Sequence, residues 1–145
     1  QLLGVFDKKW VRIHCEVLKD LGSTEAMIVH GEDGLDEISL SSPTYISELK
    51  NNTITDYIFD PKDYGYEYIN NIDILGKDAE YNAKAFLNLL EAPNNSFQKI
   101  IELNAGAAIY LAGLVNNLKD GFELAKQSIK NKKTKNYFFD LLNNQ

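Results

Sequence analysis

The chain has 145 residues, 15 Lys+Arg against 21 Asp+Glu for a formal net charge of −6, and is 44% hydrophobic and 11% aromatic. That length gives one ordinary domain a core of its own, and the composition excludes disordered, collagen-like and disulfide-scaffold classes. The acidic balance, with Arg12 the one arginine, argues against a phosphate-backbone binder, whose affinity comes from clustered cations; the lone Cys15 excludes an internal disulfide and suits a reducing, cytoplasmic setting.

Leu2 to Phe6 reads as a short buried strand, stopped by Asp7 and two lysines that open a helical pattern. Trp10, Ile13, His14, Val17, Leu18 and Leu21 recur at helical spacing, and Gly22 follows as a C-cap. Ala26 to Val29 is a second apolar strand, so the first thirty residues form a βαβ unit with parallel strands. The second strand runs into His30-Gly31-Glu32-Asp33-Gly34-Leu35-Asp36-Glu37, a loop with two glycines and four carboxylates. In parallel α/β sheets ligands bind outside the carboxyl ends of strands, which is where this loop falls.

Thr44 to Leu49 and Thr53 to Phe59 are rich in β-branched and aromatic residues and flank Asn51-Asn52, a hairpin signal. Pro61 to Gly76 has no period and reads as an ordered loop. Four helices follow: Asp78 to Ala92; a long one capped by Asn95 or Ser96, with Phe97, Ile100, Asn104, Ala107, Leu111, Leu114 and Val115 on one face; a third capped by Asp120; and a fourth from Thr134 to Leu142. Lys130 to Lys133 reads as a solvated loop. The longest apolar stretch, Ala105 to Val115, is too short to span a bilayer.

Adjacent Asp36 and Glu37 carry the clearest chemistry. Hard divalent cations such as Mg²⁺ take oxygen ligands, and one or two carboxylates with phosphate and water suffice for them. Spacing alone favours a solvated acidic loop over a metal site, and it does not fit the twelve-residue calcium loop. His30, where strand meets loop, can touch a phosphate, orient a carboxylate or simply end a strand. His14 lies on the apolar face of the first helix and reads as a packed imidazole, and Cys15, without a basic neighbour or a histidine partner, reads as an inert thiol. Asn104, amid alanines on a core-facing stripe, either bonds a neighbouring backbone or lines a site; Asn82 is read likewise. No nucleophile elbow, phosphate-binding GKS/T loop or zinc spacing occurs.

Val29 to Ser39 resembles the signature stretch of the anthranilate phosphoribosyltransferase family, and Gln1 to Phe6, Gly76 to Ala83, Leu103 to Gly113 and Gly121 to Ala125 resemble other segments of it in the same order. Departures from the family are Lys77, where many relatives carry glycine, and the aromatic Tyr66-Glu67-Tyr68. The likeness implies an α/β fold of the nucleoside phosphorylase/phosphoribosyltransferase type, here an incomplete parallel-sheet domain with a β-hairpin and a C-terminal helical run. It implies that residues 1–145 are the C-terminal portion of that domain, without the helical domain, the glycine-rich phosphate loop or the anthranilate-binding residues.

The implied reaction joins anthranilate to the phosphoribosyl group of phosphoribosyl pyrophosphate and releases pyrophosphate, a step of tryptophan biosynthesis, with the isolated piece inactive. The family's Mg²⁺ pair maps onto Asp36 and Glu37, with His30 and Asp33 as substrate-binding candidates near the phosphates. A cytoplasmic enzyme is expected, homodimeric when full length and without nucleic-acid or membrane partners. Two other readings stand beside it: a related phosphoribosyltransferase-like protein that binds nucleic acid, and a non-enzymatic interaction module.

Overall fold

Strand β1 (Leu2–Gly4), helix α1 (Lys9–Asp20) and strand β2 (Ala26–Gly31) form the strand–helix–strand unit in a computed structural model that describes residues 1–144. Asp7 opens α1 by accepting the Lys9 N–H at 3.0 Å, and Gly22, at φ 89°, turns the chain out of it. The inner face of α1 packs Val11, Cys15 and Leu18 onto Val5, Ala26, Ile28 and Leu49. Strands β3 (Thr44–Lys50) and β4 (Thr53–Phe59) complete the sheet in the order β1-β2-β3-β4. Asn51 and Asn52 both take positive φ, 50° and 60°, which is the type I′ geometry that joins two strands with two residues.

The parallel arrangement is confined to β1 and β2; β3 and β4 run antiparallel. The physical reason is the length of the connections, since a two-residue turn can only return the chain antiparallel, and the loop after β2 has no crossover helix. The sheet is therefore mixed. Its other face carries the larger core, where Met27, Val29, Ile46 and Phe59 meet Ile100, Leu103, Ala107, Leu118 and Phe122. Those last five come from α3 (Ser96–Leu111) and α4 (Leu118–Lys130). These two helices cross in backbone contact, for a Cβ on Gly106 would lie 2.6 Å from the Phe122 nitrogen.

Helix α2 (Ala79–Leu89) is capped by Asp78 and α3 by Asn95, as their spacing predicts. Three helix ends differ from expectation. Helix α3 stops at Leu111, where Gly113 turns at φ 71°, so Leu114 and Val115 fall outside its buried stripe. Helix α4 is capped by Asn117 rather than Asp120: Asn117 Oδ1 accepts the Asp120 N–H at 2.9 Å and Asn117 Nδ2 donates to the Asp120 carboxylate at 2.8 Å, so Asp120 already lies inside the first turn. Helix α5 (Lys133–Asn143) begins ahead of Thr134, whose hydroxyl pairs with Ser128 at 3.0 Å instead of capping. The lysine run is thus a break between two helices, with Lys132 at φ 59°. The segment between β4 and α2 folds into two 3₁₀ turns, Pro61–Tyr64 and Asn71–Ile74. The first places Tyr64 against Phe59, with ring centroids 4.9 Å apart.

Candidate functional site

Register explains where the acidic loop stands. Gly31 at the end of β2 pairs with Thr44 at the start of β3, and Thr44 pairs with Phe59 at the end of β4. Residues 32–43 therefore form a lobe at the carboxyl end of β2, closed at its neck by the Glu32 N–H donating to the Pro43 carbonyl at 2.8 Å. Inside the lobe the Gly31 N–H donates to Leu35 O at 2.7 Å and the Gly34 N–H to Gly31 O at 2.9 Å. The Asp33 carboxylate accepts the Ser39 hydroxyl at 2.8 Å and the Leu35 N–H at 3.3 Å.

Beyond Glu37 the chain dives into the core, with Ile38, Ser39 and Leu40 fully buried. Asp36 and Glu37 stand on the solvent side of that anchored segment, both exposed. Neither carboxylate forms a hydrogen bond or an ion pair among the described residues, where the nearby Asp33 and Glu32 both have partners. Desolvation, reinforced by the negative charge of Asp36, holds the Glu37 carboxyl above the ordinary glutamate range. Beneath Asp36 runs β1: a Cβ built on Gly4 would land inside the Asp36 carbonyl. The loop backbone and the first strand touch there because Gly4 lacks a side chain.

The two free carboxylates suit a hard cation. Among the described residues no three His, Cys, Asp or Glu side chains gather as a ready cage. Oxygen donors in this number leave positions for water and phosphate, which is the coordination Mg²⁺ prefers. Of the other predicted site residues, His30 is only 9% exposed and its Nδ1 lies 2.8 Å from the Val5 carbonyl. His30, Asp33, Asp36 and Glu37 are thus brought to one end of the sheet. His14 is packed as expected, its imidazole bonded to Trp10 O at 2.9 Å, and Cys15 is buried, which pushes its thiol up, in keeping with an inert thiol. Asn104 bonds backbone, and Asn82 does too, accepting the Lys77 N–H at 3.0 Å.

A hollow of about 620 Å³ lies elsewhere, between α2 and the start of α3, lined by residues such as Leu75, Tyr81, Asn82 and Phe97. It holds no part of the acidic loop. Sequence reading missed Gly4 and the serines that tether the loop. A glycine inside an apolar strand was the available signal for the first; serines before Pro43 look like ordinary turn formers.

A mixed α/β sheet with unpaired carboxylates beyond the carboxyl end of a parallel strand has them where α/β proteins bind ligands. The family model for the glycosyl transferase family, a/b domain, matches residues 1–135. The chain belongs to that family. It is 46% identical over 129 residues to the anthranilate phosphoribosyltransferase of Thermoanaerobacter sp. (strain X514), a match that takes in 89% of this chain and 38% of the relative. Among solved structures it resembles anthranilate phosphoribosyltransferase from Thermus thermophilus, with 29% identity and a TM-score of 0.80 over 89% of this chain and 38% of that one. The Saccharomyces cerevisiae enzyme in complex with PRPP and Mg shares the fold at a TM-score of 0.80 and 22% identity, over 90% of this chain and 38% of that one. The chain thus spans about two fifths of the length of these relatives. No described helix is long and apolar enough to cross a membrane.

Proposed function

We propose that the chain is the C-terminal part of the α/β domain of an anthranilate phosphoribosyltransferase, and that it supplies the metal-holding loop at the leaving-group end of the reaction. The observation that carries this is the pair Asp36 and Glu37, exposed and unpaired on a loop whose next residues are locked in the core. Asp36 and Glu37 would hold Mg²⁺ through their carboxylate oxygens, and the ion, when bound, would supply positive charge against the pyrophosphate that leaves as the ribosyl C1′ becomes cationic. Asp33 already answers Ser39 and Leu35, and His30 faces Val5, so both serve by fixing the loop beside the phosphates. Cytoplasmic location and a homodimer of the whole protein belong to the same reading.

A chimera tests it. This chain replaces the matching part of the Thermoanaerobacter relative, and anthranilate consumption is followed with phosphoribosyl pyrophosphate and Mg²⁺. The reading expects turnover from the chimera, none from the 145 residues alone, and a loss of about 10²-fold or more on Asp36→Asn with Glu37→Gln. A folded chimera that consumes no anthranilate, or one indifferent to both substitutions, overturns it.

A further inference from the structure

The residue after the metal pair is held in an unusual way. Ile38 is fully buried, and its two backbone polar groups find their partner not in a strand or turn but in one side chain of α3. The Ile38 N–H donates to Asn104 Oδ1 at 2.9 Å, and Asn104 Nδ2 donates to the Ile38 carbonyl at 3.0 Å. The same Nδ2 donates to Ile100 O, four residues back in the helix, at 3.0 Å. That third bond fixes which way the amide points, so the acceptor and donor meet Ile38 as a neighbouring strand would. The Asn amide offers an acceptor and a donor on one carbon, whereas an ionised carboxylate only accepts and cannot serve both backbone groups.

Helix α3 is itself seated in the core by Ile100, Leu103 and Ala107. The position of Asp36 and Glu37 is therefore referred, through one peptide and one amide, to the most deeply packed helix of the molecule. We infer that Asn104 is a positioning residue for the Asp36–Glu37 pair, setting where the two carboxylates present their oxygens. The inference rests on the metal reading proposed above. Asn104 touches neither ion nor phosphate; it acts through Ile38, as residues behind metal ligands do, and their removal commonly weakens metal affinity by about 10- to 100-fold.

The test uses the 145-residue chain, Mn²⁺ as the paramagnetic probe and inorganic pyrophosphate as the phosphate source. Broadening of backbone amide signals maps the ion and gives its affinity even where binding is weak. In the unsubstituted chain, signals around Asp36 and Glu37 broaden first; Asp36→Asn with Glu37→Gln abolishes this. Asn104→Ala weakens Mn²⁺ binding by about tenfold or more. Asn95→Ala removes the N-cap of the same helix at a cost of about 1 kcal/mol, and leaves the affinity within about twofold.

Native affinity in Asn104→Ala beside lost affinity in the carboxylate variant overturns the positioning role alone. Absence of selective broadening in the unsubstituted chain overturns the metal reading and the inference with it. Should Asn104→Ala not fold, hydrogen exchange of the unsubstituted chain decides. Binding at the pair and the Ile38–Asn104 bonds stabilise each other reciprocally, so Mg²⁺ with pyrophosphate slows exchange of the Ile38 amide; an unchanged rate overturns the inference.

Discussion

A carboxyl group that is partly desolvated beside a second negative charge keeps its proton to higher pH, and Glu37 is held that way. In an unfolded chain glutamate titrates near about 4.3. A carboxyl whose folded value is raised contributes its stability below the unfolded value and loses it as pH rises through the folded one. Glu37→Gln removes that dependence. Melting curves at about pH 4 and about pH 7 should show the variant gaining on the unsubstituted chain as pH rises; a gap that stays constant removes the desolvation argument. Added Mg²⁺ with pyrophosphate acts in the opposite direction, stabilising the unsubstituted chain and not the Gln variant, because a ligand that binds only the folded form raises its melting temperature. Gly4 is the other decisive residue at this scale. Any Cβ there strikes the Asp36 carbonyl, so Gly4→Ala must push the loop off β1. Its expected cost is about 1–3 kcal/mol, read as a lower denaturant midpoint at unchanged slope; a neutral substitution shows the contact to be soft.

Single elements were legible where one physical rule governed them. The helical period of α1, the Asp78 and Asn95 caps and the Asn51-Asn52 turn each follow from local sequence. The acidic loop was legible for the same reason, since it follows the second strand of a βαβ unit. Errors gathered where two local signals competed. Asn117 and Asp120 are both good caps, and the burial of Leu118 in the core agrees with the start of α4 that the Asn117–Asp120 bonds define. Leu114 continues the spacing of α3, yet Gly113 ends the helix first. The strand orientations needed connection lengths, and the clasp of Asn104 on Ile38 spans 66 positions, so no local pattern could reveal it. The cap assignment is itself testable. Asn117→Ala loses an N-cap bond and should cost about 1 kcal/mol. Asp120→Ala loses only the return bond and a favourable charge in the first helical turn, which together should cost less than the cap. Thermal midpoints that rank the two the other way round return the cap to Asp120.

At the scale of the whole molecule β1 is an edge strand. Among the described residues it pairs only with β2, so its other edge presents backbone donors and acceptors to solvent. Apolar residues are exposed as well: Phe6 is 76% exposed and Leu3 38%, and Ile13, Val17 and Leu21 form an exposed stripe at i, i+4 and i+8 along α1 and its C-cap. Folded chains shield such an edge with charge, bulges or covering elements, whereas Leu2, Leu3 and Gly4 carry no charge and Asp7 and Lys9 beyond them are paired with each other at 3.0 Å. Net charge −6 gives long-range repulsion, but at physiological salt it decays over about 8 Å and does not reach across a docked edge efficiently. The isolated chain should therefore associate as its concentration rises, with light scattering showing a growing mean mass. Leu3→Lys places a charge on the edge strand without touching the acidic loop, and should hold the chain monomeric over the same range. Raising salt should promote association of the unsubstituted chain by screening the repulsion while leaving apolar contact intact. A chain that stays monomeric at high concentration and high salt shows that the short three-residue β1 is edge protection enough, and a Leu3→Lys variant that associates as readily moves the contact to the exposed face of α2, where Phe86 and Leu87 lie.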